Sequence, residues 1–204
     1  MIDNGNGTVV LGFSAVLLAG GRSTRMGRDK ARLAHPCSGL AMVVHQVATL
    51  RAAGCAECFL AVRAGTDYPE VGAEVERLFD DGSGGPLGAI AAGLARAREA
   101  RVMVLAVDMP GVTAEWVRGL VARATPERGV VVRDAAGYEP LCAVYPKLAA
   151  GRYAEAVAAG RLSLQVLVAA GVAEGWLMEV SAPEDAAVLA NWNAPGDVGG
   201  TNYE

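Results

Sequence analysis

Directly after an apolar run over residues 13–18 comes the stretch Leu18-Ala19-Gly20-Gly21-Arg22-Ser23-Thr24-Arg25-Met26-Gly27-Arg28-Asp29-Lys30. It joins paired glycines, two hydroxyls and several cations. Glycines let backbone N–H groups approach phosphate oxygens with no Cβ in the way. Arg25 adds a planar fork and Lys30 a compact point charge, which do different jobs on a phosphate. The chemistry on offer is polyphosphate binding. No Gly-Lys-Ser/Thr closes the loop, so it is not a P-loop. Gly20 and Gly21 are adjacent, so it is not the G-x-G-x-x-G dinucleotide turn either.

Asp108 ends a second apolar run, residues 102–107, in Val107-Asp108-Met109-Pro110. A carboxylate there can hold Mg2+, which takes hard oxygen ligands and keeps several waters; it can equally be a turn or cap acid. Gly85-Pro86-Leu87-Gly88 opens a helix behind Asp80-Asp81-Gly82-Ser83-Gly84. Glycines at a helix start let a ligand reach backbone N–H groups. Asn191-Trp192-Asn193-Ala194-Pro195-Gly196-Asp197 offers side-chain amides to a ligand, or forms an Asx-rich turn. Cys55-Ala56-Glu57-Cys58 has C-x-x-C spacing, but no second pair stands at zinc spacing. Cys37, Cys55, Cys58 and Cys142 therefore read as structural thiols. His35 and His45 receive no catalytic role.

Such residues need strand ends to carry them, and the chain alternates between strand and helix patterns. Strands are expected over residues 13–18, 58–62, 76–79, 102–107, 130–132, 141–145 and 177–180. Helical spacing links Leu40, Val43, Val44, Val47 and Leu50, with Gly54 as a stop. Further helices are expected over 86–100, from a Thr113 cap to about 124, and over 147–159 and 162–170. This alternation predicts an α/β fold with a mainly parallel sheet, where ligands bind at the carboxyl ends of strands. At 204 residues the chain fits one domain. It is 52% hydrophobic and 5% aromatic, so the core is expected to be Ala, Val and Leu. A net charge of −4 argues against a broad nucleic-acid footprint. The start lacks the flanks of a signal peptide and no apolar stretch is long enough to span a bilayer, so no membrane association and a cytoplasmic location are expected.

The opening loop resembles the L-A-G-G-x-x-x-R-M-G-x-D-K signature of nucleotidyltransferases that share the nucleotide-diphospho-sugar transferase fold, and meets every fixed position. Val107-Asp108-Met109-Pro110 resembles the (C/V)-D-x-P of that superfamily. Residues 191–197 resemble its N-x-N-T-P ending, with Ala194 and Gly196 as departures. Residues 138–145 and 161–167 resemble segments of the molybdenum cofactor guanylyltransferases (MobA-like NTP transferases), so the likeness runs from Ala15 to about Asp197.

The resemblance implies a three-layer α/β/α, Rossmann-like, mostly parallel sheet. It implies a single nucleotidyltransferase domain over residues 1–204, with 1–12 a loose N-terminal segment. The implied reaction transfers GMP from GTP to a molybdopterin-type molybdenum cofactor, with Mg2+ and release of pyrophosphate. Arg25, Lys30 and Asp108 would be catalytic, with Asp108 on the metal. Leu18, Ala19, Gly20, Gly21, Arg25, Lys30, Asp81, Gly85, Pro86, Leu87 and Asp108 would bind nucleotide, Asp80 being a rival to Asp81 for the base-side acid. Glu139, Pro140, Asn191 and Asn193 would face the acceptor. Other cofactor-biosynthesis proteins stay open as partners. Relatives carry an Asn near the end of the second strand where this chain has Val62-Arg63, which leaves base preference open and Arg63 either a phosphate contact or a bystander. The alternatives are a cytidylyltransferase on the same pterin, an NTP transferase on another phosphorylated acceptor, and a nucleotide-binding regulatory module without turnover.

Overall fold

The computed structural model describes residues 2–3, 9–10, 12–20, 29–80 and 84–192. Two short strands, β1 (Ile2–Asp3) and β2 (Val9–Val10), pair antiparallel ahead of the main sheet. That sheet has seven strands: β3 (Phe13–Leu18), β4 (Cys55–Arg63), β5 (Glu76–Asp80), β6 (Arg101–Ala106), β7 (Gly129–Asp134), β8 (Gly137–Pro146) and β9 (Leu177–Ser181). Their order is β5-β4-β3-β6-β8-β7-β9. β3 pairs parallel with both β4 and β6, and β4 with β5. β8 runs antiparallel to β6 and β7, and β9 returns parallel to β7. The expected mostly parallel α/β sheet is therefore observed, with β8 the one reversed strand of the main sheet.

The helices are α1 (Met42–Ala52), α2 (Gly85–Arg96), α3 (Ala114–Arg123), α4 (Ala150–Ala158) and α5 (Leu164–Ala173). Central strands read as unbroken apolar runs because both faces are covered. Along β3, Phe13, Ala15 and Leu17 join the core under α1 and α3, while Val16 joins the core under α2, α4 and α5. β6 alternates likewise, with Met103 and Leu105 on the first face and Val102 and Val104 on the second. Three layers result. Gly93 lets α2 lie directly on β3: a Cβ there would fall 2.2 Å from Val16 Cγ2.

Local signals account for most boundaries. Thr113 caps α3, its hydroxyl accepting from the Trp116 N–H at 3.2 Å. Gly54 ends α1 with φ +98°, a conformation that costs glycine little. The expected helix over 147–159 is split, with a 3-10 turn at Lys147–Ala149 leading into α4. β4 begins at Cys55 rather than at residue 58, with an irregularity in its pairing to β3 between Phe13 and Ser14. Leu40 lies outside α1 and is exposed.

Candidate active site

The chain order reverses beside β3: β4 and β5 lie to one side of it and β6 to the other. Ligands of open α/β sheets bind at such a switch point, outside the carboxyl ends of the strands. Two backbone bonds carry the sheet past its formal end there, Ala19 N–H to Ala61 O (2.9 Å) and Val107 N–H to Leu18 O (3.0 Å). Leu18, Ala19 and Gly20 thus lead into the loop from a fixed stem. Gly20 backs onto the end of β4, where an added Cβ would lie 3.6 Å from Arg63 Cγ and from the Arg63 backbone nitrogen. Arg63 itself is exposed at that rim.

Lys30 and Asp108 meet across this point. Lys30 Nζ is 2.7 Å from Asp108 Oδ2, and their side chains are only 17% and 19% exposed. The pair joins residues 78 positions apart. Lys30 opens a 3-10 turn, Lys30–Arg32, capped by Asp29, whose Oδ1 accepts from Ala31 N–H at 3.0 Å. The other oxygen of Asp29 accepts from the buried Tyr68 hydroxyl at 2.9 Å. Burial, then the bond to Asp29, pushes the Tyr68 phenol well above its usual value, so it remains a donor. Asp29 therefore ties the lysine's turn to the loop that follows β4.

Beyond β6, three successive carbonyls are held by three separate segments. Asp108 O accepts from Trp192 N–H at 2.9 Å. Met109 O accepts from Gln46 Nε2 at 2.7 Å. Pro110 O lies 3.0 Å from His35 Nε2. His35 Nδ1 accepts from the backbone N–H groups of Cys37 and Ser38, both at 3.2 Å. Those two donors leave a ring proton on Nε2 for Pro110, so His35 donates to it. His35 stacks on His45, ring centroids 3.5 Å apart. Burial first, and the neighbouring His35 second, lower His45 to about 4, so the His45 ring is neutral near pH 7. At Gly111 an added Cβ would meet Ala187 O at 2.2 Å, so the C-terminal segment presses directly on this loop.

Glu139 faces the same place from β8. The β6–β8 register runs to the Leu105–Cys142 pair, and beyond it Asp108 lies near enough for its charge to act on Glu139. Burial raises the Glu139 carboxyl, and the charges of Asp134 and Asp108 add to this, against the Leu141 N–H and the Asn191 side chain that bond to it. The Leu141 bond is 3.1 Å long. Pro140 has no N–H to give a ladder. It lies where the β7–β8 register jumps from Ala143 to Glu139, and its carbonyl accepts from the buried Tyr145 hydroxyl at 2.8 Å. Gln165 of α5 pairs with the Tyr138 backbone, accepting from its N–H (3.3 Å) and donating to its carbonyl (2.7 Å).

Of the residues expected from sequence, Leu18, Ala19, Gly20, Lys30, Asp108, Glu139, Pro140 and Asn191 thus line or support one rim. Gly85, at φ +53°, opens α2, with Pro86 exposed and the Leu87 side chain fully buried, so Leu87 can offer only backbone. Gly21, Arg25, Asp81 and Asn193 lie outside the described residues. Among the described residues no three His, Cys, Asp or Glu side chains cluster as a metal cage. A lone carboxylate with a second one near is what Mg2+ uses when phosphates and water complete its shell, so Asp108 fits such an ion. The thiols stand apart from this chemistry. A bond with Cys58, then burial, raises Cys55, and burial pushes Cys142 up to about 12, so neither is a thiolate nucleophile at neutral pH. Sequence reasoning missed Gln46 and His35. The signal for Gln46 was present: a polar residue on the same helix face as Val43, Val47 and Leu50.

The profile of the MobA-like NTP transferase domain matches residues 15–173. A protein of Opitutus terrae named as a probable molybdenum cofactor guanylyltransferase is 42% identical over 190 residues, 91% of this chain and 92% of that one. Among solved structures, a nucleotidyl transferase of Methanothermobacter, Mth528, superposes with a TM-score of 0.71 at 23% identity, over 91% of this chain and 94% of that one. Rv0371c of Mycobacterium tuberculosis in complex with manganese superposes with a TM-score of 0.61 at 17% identity, over 83% of this chain and 88% of that one.

Proposed function

We propose that this chain, which belongs to the MobA-like NTP transferase family and is therefore an enzyme of the nucleotidyltransferase class, transfers GMP from GTP to the terminal phosphate of a molybdopterin-type cofactor. The observation that carries the reading is the Lys30–Asp108 pair at the switch point of the sheet. The name of the Opitutus relative supplies the guanylyl group and the acceptor.

The chemistry follows from charge. An oxygen of the acceptor phosphate forms a bond to the α-phosphorus of GTP, the bond from that phosphorus to the β-phosphate oxygen breaks, and pyrophosphate leaves with the electron pair. The acceptor phosphate is already ionised near neutrality, so the step needs no general base. Lys30 and Arg25 offset charge on the leaving pyrophosphate, and the amides of Gly20 and Gly21 hold its oxygens. Asp108 would hold Mg2+, which supplies Lewis-acid neutralisation of the phosphate oxygens. In the resting enzyme Lys30 pairs with Asp108. Gly85 and the first-turn N–H groups of α2 face the base and ribose, together with Asp81. Glu139 and Asn191, with Asn193, would contact the acceptor, where the Glu139 carboxyl can accept from N–H groups of a polar pterin edge.

The test has two stages. With Mg2+ present, GTP should raise the Tm well above CTP, ATP and UTP, because a ligand of the folded state stabilises by mass action. Pyrophosphate should then appear only when a molybdopterin acceptor is added. A larger shift with CTP would move the reaction to cytidylyl transfer. A shift with GTP and no pyrophosphate with the acceptor would reject the reaction.

A further inference from the structure

Asp108 is not held by its own strand. β6 ends at Ala106, and the two residues that follow Asp108 are a methionine and a proline with no ladder partner of their own. Yet the carbonyls of Asp108, Met109 and Pro110 are bonded by Trp192, Gln46 and His35. Two of these donors are side chains that helices and cores rarely hold. Gln46 is completely buried, and its Oε1 has no partner among the described residues while its Nε2 serves Met109. His35 is 5% exposed. An apolar residue would suit the place of Gln46 better unless the bond it makes matters, since a buried polar group without full partners costs stability, whereas both ring nitrogens of His35 are used. Both residues also reach the loop from the segment that begins with Lys30. Leu33 O accepts from Met42 N–H, and an Ala34–Ala41 bridge closes the turn that carries His35. One stretch of chain therefore supplies the lysine, the two clamps and the helix behind them.

We propose that Gln46 and His35 are positioning residues, which fix the Asp108 carboxylate relative to Lys30 by holding the two carbonyls that follow it. The inference rests on the transfer reaction above for its activity readout. Transfer depends steeply on such placement, because a displacement of about 1 Å at a reacting group can cost about 100-fold. Neither side chain touches the reacting atoms, so their loss should lower kcat and leave KM for GTP within about twofold.

His35 permits a crossed test. In His35→Gln the amide nitrogen reaches about where Nε2 donates, and the acceptor for Cys37 and Ser38 is lost. In His35→Asn the amide oxygen keeps the acceptor near Nδ1, and the donor to Pro110 is lost. Positioning requires kcat about tenfold lower in His35→Asn and near wild type in His35→Gln. A role confined to the 35–40 turn requires the reverse, and equal losses in both would mean general destabilisation; either result overturns the proposal. Gln46→Met adds a variant that fills the same volume, removes the unpaired oxygen and deletes the donor to Met109. Its kcat should fall several-fold with Tm nearly unchanged. Hydrogen–deuterium exchange over residues 107–112 reads the same clamp without substrate: faster in His35→Asn, unchanged in His35→Gln. If the wild type carries out no transfer and the exchange pattern still holds, the reaction was misassigned and the clamp stands. If the wild type is active and the exchange is equal in both variants, the clamp falls and the reaction stands.

Discussion

The two halves of the sheet meet at the β6–β8 pair and hold their site residues by opposite means. In the β5-β4-β3-β6 half, the groups that fix the loops are buried: Gln46, His35 and Tyr68 each lie at or below 5% exposure. Water cannot compete for those bonds, and breaking one leaves an orphaned partner worth about 1–3 kcal/mol. In the β8-β7-β9 half the Tyr145 hydroxyl under Pro140 is buried, but the pairs around Tyr138 lie at the surface. Gln165 pairs with Tyr138 at the surface, and Arg133 bonds Glu179 at 3.2 Å with both side chains about half exposed. Surface pairs of that kind contribute about 0–1 kcal/mol. Under the proposed reaction the contrast matches a division of labour: transfer at phosphorus needs a fixed geometry whatever the acceptor, while acceptor recognition can be retuned by changing partners that carry little of the fold.

The largest expected effect separates these halves at once. Asp108→Asn keeps the shape and removes the charge, so turnover should fall about 100-fold or more, as when one preorganised electrostatic group is lost. Pyrophosphate release from GTP with saturating acceptor measures it. Turnover close to wild type would move the reaction away from the switch point, and the first half would lose its special status.

A second, smaller effect belongs to the other half. Glu139→Gln should raise KM for the pterin acceptor about tenfold, the worth of one good hydrogen bond to a polar group, and leave KM for GTP alone. A change in the GTP value instead would mean that the nucleotide crosses onto β8 and that the halves share one substrate.

These assignments differ in how far the sequence discloses them, and the reason is physical. The apolar runs that became β3 and β6 are readable because a doubly covered strand tolerates little else. Asp108 is readable because it follows such a strand and Lys30 because it closes the glycine-rich loop motif, but their 2.7 Å contact spans 78 residues and no local pattern encodes it. β8 is reversed by the short turn after Asp134, and the start at Gly137 extends its strand four residues before the expected 141–145. That added length brings Tyr138 and Glu139 into the sheet beside the pocket. The bond of His35 reaches a carbonyl 75 residues away from a loop with no periodicity, so no local pattern encodes it. Gln46 sits among apolar neighbours on α1 that give the helix the pattern of ordinary core.

The smallest effect sharpens the comparison through pH. His45, in the first half, titrates at about 4 when folded against 6.5 ordinarily. Above pH 6.5 it is neutral in both states and costs nothing. As pH falls from 6.5 to about 4, the unfolded chain takes up a proton that the folded chain refuses, so stability declines. Glu139, in the second half, has the opposite sign. Its raised carboxyl favours the proton, so folding loses stability as pH rises from 4.5 through the folded value. Urea midpoints across this range should therefore show a shallower acid decline in His45→Gln than in wild type. In Glu139→Gln they should gain stability at neutral pH relative to acid. The two variants must tilt the curve in opposite senses, because the surroundings lower the pKa of a base in one half and raise that of an acid in the other. A common tilt would mean that the buried and exposed halves respond to protons as one body.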